Sequence, residues 1–123
     1  MKMSAVTLRA HGGPEVLQLE ELPMPEPGPG QVRVRIRAVA VNHLDIWVRK
    51  GGPAFKLHYP HLLGSDIVGE IDAVGPGASA SVGQKVVVQP GLSCGRCAQC
   101  LGGHDNLCRE YKILGEHASG GYG

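Results

Sequence analysis

Four cysteines carry the clearest chemistry in this chain. Cys94, Cys97, Cys100 and Cys108 are spaced C-x2-C-x2-C-x7-C. Each close pair lets a tight turn aim two thiolates at one point, and the seven-residue excursion returns the fourth. Four sulfur donors suit zinc and leave no open coordination position, so the expected site is structural. An iron–sulfur cluster shares the opening spacing, but its bacterial run ends C-x3-C-P, whereas here the last gap is seven and Arg109 follows Cys108. A redox dithiol needs one C-x-x-C and leaves two cysteines unexplained. Gly91, Gly95, Gly102 and Gly103 permit the sharp turns such a lobe requires.

The elements that hold this lobe read as short strands. Val6 and Leu8 alternate with Thr7 and Arg9, and Leu17 and Leu19 with Gln18 and Glu20. Residues 23–30, PMPEPGPG, are too rich in proline for a helix or a central strand. Val32, Val34, Ile36 and Ala38 are expected on one face of the next strand, with Arg33, Arg35 and Arg37 on the other. Those arginines read as a solvated sheet face in preference to a phosphate site, because no glycine-rich loop accompanies them. Residues 42–50, NHLDIWVRK, carry weak helical spacing that puts Leu44, Trp47 and Val48 on one side. Asp45 and Arg49 are four apart, close enough to pair on a helix surface. Asn42 is a preferred helix cap. Residues 67–74 and 82–88 read as further strands, and 91–117 as an irregular metal lobe. The expected fold is mainly β: a partial barrel with one short helix and the four-cysteine zinc lobe.

Composition narrows the function class. A chain of 123 residues suits one domain, and a net charge of +1 offers nothing to nucleic acid or an anionic membrane. No 18-residue apolar run and no apolar leader appear, which makes the cytoplasm the default expectation. Aromatics are only 4%, while 19 glycines and 9 prolines fall between apolar runs, as in a domain of many strands and turns. Gly75 to Ala80 fits G-x-G-x-x-A after a strand, but residue 82 is expected to open another strand. A dinucleotide fingerprint needs a helix to begin inside the motif.

GLSCGRCAQCLGGHDNLC followed by LGEHASGGY resembles the structural-zinc lobe of zinc-type alcohol dehydrogenases of the medium-chain dehydrogenase/reductase superfamily. PGPGQVRVRIRAVAVNHLDIWVRKG and LGSDIVGEIDAVGPGASASVGQKVVV are similar to that superfamily's early strands and helix. The resemblance implies a GroES-like partial β-barrel over 1–123, ending before its last strands, with the nucleotide-binding Rossmann domain lying outside the chain. It implies an NAD(P)-dependent oxidoreductase as the parent, inactive as this fragment alone, and commonly a homo-oligomer.

Where zinc alcohol dehydrogenases place two catalytic zinc ligands, a cysteine and the histidine of Gly-His-Glu, this chain has Asn42 and Gly64-Ser65-Asp66. These replacements are similar to the quinone-oxidoreductase-like branch, with its V-N-x-x-D and G-x-D motifs. The resemblance therefore implies a structural zinc and no catalytic one. It makes Asn42, Ser65 and Asp66 candidate catalytic residues, and Asn42, His43 and Asp45 candidate cofactor-binding residues. His43 is the best of three histidines, with His61 and His117, for an alternative second zinc. Trp47 reads as core more than cleft, and Tyr59 and His61 are weaker site candidates. The expected substrate is a quinone, enone or other carbonyl. The alternatives are a true zinc alcohol dehydrogenase domain or a stand-alone zinc-stabilised binding module.

Overall fold

A computed structural model describes residues 1–123. Three antiparallel sheets make the fold. The first has the order β2–β1–β4, formed by Lys2–Leu8 (β1), Leu17–Pro23 (β2) and His61–Leu62 (β4). The second has the order β3–β5–β6, formed by Val32–Ala40 (β3), Asp66–Val74 (β5) and Lys85–Val88 (β6). Gly91–Leu92 (β7) and Lys112–Ile113 (β8) close the base of the cysteine lobe. Helices are few: His43–Lys50 (α1) and Ala98–Leu101 (α2), with single 3₁₀ turns at Pro14–Val16 and Asp105–Leu107. The mainly-β expectation holds.

Pairing on both edges of β1 makes the first sheet. β1 pairs with β2 in register from Lys2↔Pro23 to Leu8↔Leu17, and with β4 through Thr7↔Leu62 and Leu8↔His61. Both faces of β1 are covered toward its end, with Ala5 buried on one and Leu8 on the other. Thr7 is also fully buried, and its hydroxyl donates to Glu20 on β2, which Arg9 also bonds at 3.1 and 3.2 Å. These donors hold the Glu20 carboxyl below its usual range, the Thr7 hydroxyl most of all.

α1 packs on this sheet through Val48, which meets Leu8 and Leu63 in a fully enclosed cluster. Each such side chain contributes about 1.5–3 kcal/mol by leaving water. Gly51, at φ +81°, ends the helix with its N–H on the Trp47 carbonyl at 2.9 Å. Four differences from expectation have physical causes. Trp47 is 55% exposed, because the core stripe of α1 runs through Val48 and leaves Trp47 against His43 instead, the rings tilted at 57° with 4.7 Å between centroids. Asp45 and Arg49 do not pair; both are buried, and Arg49 donates to the Gly12 carbonyl at 3.0 Å. β6 begins at Lys85, not at residue 82, since Gly83 at φ +89° still belongs to the turn. The cysteine lobe holds a second helical turn, α2, capped by Cys97, whose sulfur accepts from the Cys100 N–H.

β3 departs from simple alternation. Its pairing with β5 shifts register between Arg33 and Val34 and between Ile36 and Ala38. The residues from Ala38 to Val41 are exposed. An open cleft of about 1160 Å³ lies between β3 and the first sheet, lined by Met3, Val6, Ile36, Ile46, Leu63 and Tyr122 among others. Only 18 of 123 residues are buried, so polar ties must fix much of the geometry that a larger core would fix.

Candidate functional site

The cysteine lobe assembles as its spacing predicts. The four sulfur atoms lie within 4.8 Å of one another. Cys97 and Cys100 are 3.5 Å apart and Cys94 and Cys100 are 3.9 Å apart. A tetrahedron with zinc–sulfur bonds of about 2.3 Å has edges of about 3.8 Å, so the donor set and its size fit zinc. Backbone N–H groups point at the sulfurs. Arg96 and Cys97 approach Cys94 at 3.5 and 3.3 Å, and Cys94 and Glu110 each approach Cys108 at 3.4 Å. Donors of this kind favour thiolate. They hold the Cys94 thiol below its ordinary value, and the Cys100 N–H holds Cys97 down at about 6. Cys100 is pushed up to about 11, first by burial. A cation at the centre would supply the missing positive charge.

A second constellation forms where β3 enters α1. Asn42 occupies the N-cap in extended conformation, φ −115° and ψ 159°. Asp45, three residues on, accepts from the Asn42 backbone N–H at 2.9 Å. The Asn42 side chain reaches back toward the Asp45 N–H more loosely, short of a full hydrogen bond, to complete a capping box. Asp45 is only 4% exposed and serves two further donors. Its Oδ1 accepts from the Gly64 N–H at 3.0 Å, and its Oδ2 from the Tyr122 hydroxyl at 3.1 Å. One buried carboxylate thus ties together the head of α1, the β4–β5 turn and residue 122. Gly64 sits at φ +97°, and a Cβ there would meet the Tyr122 ring at 2.7 Å, so only glycine lets the turn approach. Tyr122 in turn is pushed up to about 12, by burial first and then by the Asp45 charge.

The β3–β5 ladder, in which Ala40 faces Asp66, brings Asn42 beside Asp66, the first residue of β5. The Asn42 amide nitrogen donates to Asp66 Oδ2 at 2.8 Å, and Asp66 is exposed. His43 is exposed next to them, against Trp47. The other sequence candidates go elsewhere. Ser65 is 6% exposed and spends its one proton on the Leu114 carbonyl at 2.7 Å. His61 is 3% exposed, with its Nε2 2.9 Å from the Gly115 carbonyl oxygen. His117 Nδ1 accepts from the Ile113 N–H at 3.0 Å. Tyr59 is edge-on to His11 at 6.2 Å. The three β3 arginines face acids: Arg33 meets Asp72 at 2.7 Å, Arg35 meets Asp72 at 3.7 Å and Arg37 meets Glu70 at 3.6 Å. Sequence reasoning missed Tyr122 and the part played by the Gly64 N–H. A glycine just before the Ser-Asp pair was the only available signal.

Residues 28–123 match the family described as the alcohol dehydrogenase GroES-like domain. The chain belongs to that family. A crystal structure described as an NAD-dependent alcohol dehydrogenase superposes with a TM-score of 0.91 at 60% identity, covering 96% of this chain and 35% of that one. A cobalt- and zinc-bound thermostable alcohol dehydrogenase from Pyrobaculum aerophilum gives a TM-score of 0.90 at 38% identity, covering 99% and 37%. The NAD-dependent alcohol dehydrogenase of Sulfolobus acidocaldarius is 34% identical over 98% of this chain and 36% of its own length. The chain spans about a third of the length of these relatives. As a GroES-like domain of the alcohol dehydrogenase family, it supplies the sheet and the lobe.

Proposed function

We propose that this chain is the substrate-side domain of an NAD(P)-dependent oxidoreductase that transfers hydride to a conjugated carbonyl, a quinone or an enone. Cys94, Cys97, Cys100 and Cys108 would hold one structural zinc, which cross-links the lobe. The observation that carries the reading is how Asn42 and Ser65 are used. Both are poor zinc ligands beside thiolate and imidazole, and both are committed to hydrogen bonds, to Asp66 and to the Leu114 carbonyl. The cofactor, bound mainly by residues outside this chain, supplies the hydride. Charge growing on the substrate oxygen would then be met by hydrogen bonds, and the second Asn42 amide proton is the donor we assign to it. His43 stands next in line, and Asp45 holds the head of α1. A conjugated acceptor suits this arrangement because hydride adds to carbon while charge spreads to a distant oxygen.

A second reading, oxidation of an alcohol, is favoured by relatives named for that activity, such as the sorbitol dehydrogenase of Bacillus subtilis, 34% identical over 80% of this chain. Metal analysis and turnover of the full-length enzyme separate the two. The expected result is one zinc per chain, with reduction of enones or quinones by NADH or NADPH. Two stoichiometric zincs, with chelator-sensitive oxidation of simple alcohols, would defeat the first reading.

A further inference from the structure

Asn42 is held by its amide nitrogen, which lies 2.8 Å from Asp66 Oδ2; the Asp45 N–H at the head of α1 bonds the Asn42 backbone carbonyl at 3.0 Å, and the Asn42 side chain only leans toward it. A carboxylate only accepts hydrogen bonds, so it forces the amide to present its nitrogen to β5. The N–H at the helix head only donates, so it favours the oxygen on that side. An amide with a free torsion has two nearly equal flips; this one has a single satisfied orientation. In that orientation one nitrogen proton is spent on Asp66 and one is left over.

We propose that Asp66 is a positioning residue: it fixes the Asn42 amide so that the remaining N–H, and not the carbonyl oxygen, is offered to the oxygen of the substrate. The inference rests on the functional reading above. The contact to Asp66 is charge-assisted, stronger than a neutral amide pair and shorter in reach. Asp66 belongs to a different element from Asn42, and the span between the two is set by the β3–β5 ladder, where Ala40 faces Asp66, with Asp45 bracing it through the Asn42 and Gly64 N–H groups. Asp66 therefore acts from a rigid frame on a group whose own backbone is fixed by the same frame. Loss of Asp66 leaves the amide free to flip, and half of its orientations would then turn an acceptor toward an acceptor.

The test is a double-mutant cycle in the full-length enzyme with Asn42→Ala, Asp66→Ala and both together. Asp66→Ala is expected to lower kcat on the order of 10- to 100-fold with little change in KM, as for a misplaced catalytic group. In the Asn42→Ala background the same change is expected to add nothing. Asp66→Asn, which keeps an acceptor oxygen, is expected to recover most of the loss. Asp66 is exposed, so these variants retain the core. Selective ¹⁵N labelling of asparagine gives a readout free of turnover: the two Asn42 amide protons are expected well separated in the wild type and converging in Asp66→Ala. Additive losses in the cycle, or an unchanged Asn42 amide signal in Asp66→Ala, would overturn the proposal. An enzyme that reduces no enone or quinone would overturn the functional reading, while the amide spectrum would still judge Asp66.

Discussion

Asp45 shows how much one buried carboxylate can organise. It is enclosed, yet three donors, two of them from distant parts of the chain, converge on its two oxygens. Removing it strands the buried Gly64 N–H and loosens two part-buried donors, and a buried unsatisfied donor costs about 1–3 kcal/mol. Asp45→Ala is expected to destabilise the fold by about 1–3 kcal/mol in chemical denaturation, a sizeable share of a net stability of about 5–15 kcal/mol. Tyr122 gives a second readout. Its folded value is raised from 10 to about 12, by burial first and Asp45 second. A raised value means that its contribution is complete below pH 10 and is lost as pH climbs toward 12. Wild-type stability should therefore fall across that window. In Asp45→Ala the Tyr122 absorbance titration should move part of the way back toward 10. A Tyr122 titration unmoved by the substitution would contradict the contact. None of this was legible in the sequence. Asp45 read equally well as a site residue or as the partner of Arg49, because spacing along one helix is visible in a sequence while a contact 77 residues away is not.

At the scale of elements, the joint between barrel and lobe is the informative one. β4 and the turn after it carry Leu62, Leu63 and Gly64, whose carbonyls accept from the N–H groups of Gly120, Tyr122 and Gly121. Ser65 and His61 then reach the Leu114 and Gly115 carbonyls. Two residues that looked chemical in the sequence thus hold the segment leaving the lobe. Ser65→Ala removes a buried donor and leaves the Leu114 carbonyl short of a partner. A loss of about 1–3 kcal/mol is expected, with faster amide exchange across residues 112–118 and little change in β1 and β2. Uniformly faster exchange everywhere would show that the joint is not a separate unit. Strand alternation made β1, β2, β3 and β5 readable before any coordinates. β4, β7 and β8 are two residues each, too short to show a period, and they exist because a neighbouring strand supplies the partner. The fully buried Val48 and exposed Trp47 on α1 make the same point: helical spacing marked a stripe, but the position of Leu8 and Leu63 decided where it centred.

For the whole molecule, the question is how far the metal's influence extends. The sequence reads 91–117 as one irregular metal lobe, and on that reading chelation melts at least that stretch. Structural zinc in such sites is worth about 10–16 kcal/mol of apparent binding free energy, comparable to a domain's entire stability. Yet the exit from the lobe has its own attachments, which need no metal: Leu114 N–H to the Pro90 carbonyl at 3.0 Å, and Gly120, Gly121 and Tyr122 to β4 and the turn after it at 2.8, 2.9 and 3.1 Å. The stretch from Cys94 to Cys108 has α2, one 3₁₀ turn and sulfur contacts, with no enclosed apolar side chain other than Cys108 itself. Hydrophobic burial cannot replace the metal there. Stripping zinc is therefore expected to release residues 94–111 to rapid hydrogen exchange, while the amides of Gly120, Gly121 and Tyr122 stay protected and the Leu8–Val48–Leu63 cluster stays packed. Protection that persists across 94–111 after metal removal would mean the lobe folds without a cross-link. Collapse of protection in β1 would mean that the lobe and barrel unfold as one, and that the polar joint transmits far more than its few hydrogen bonds imply.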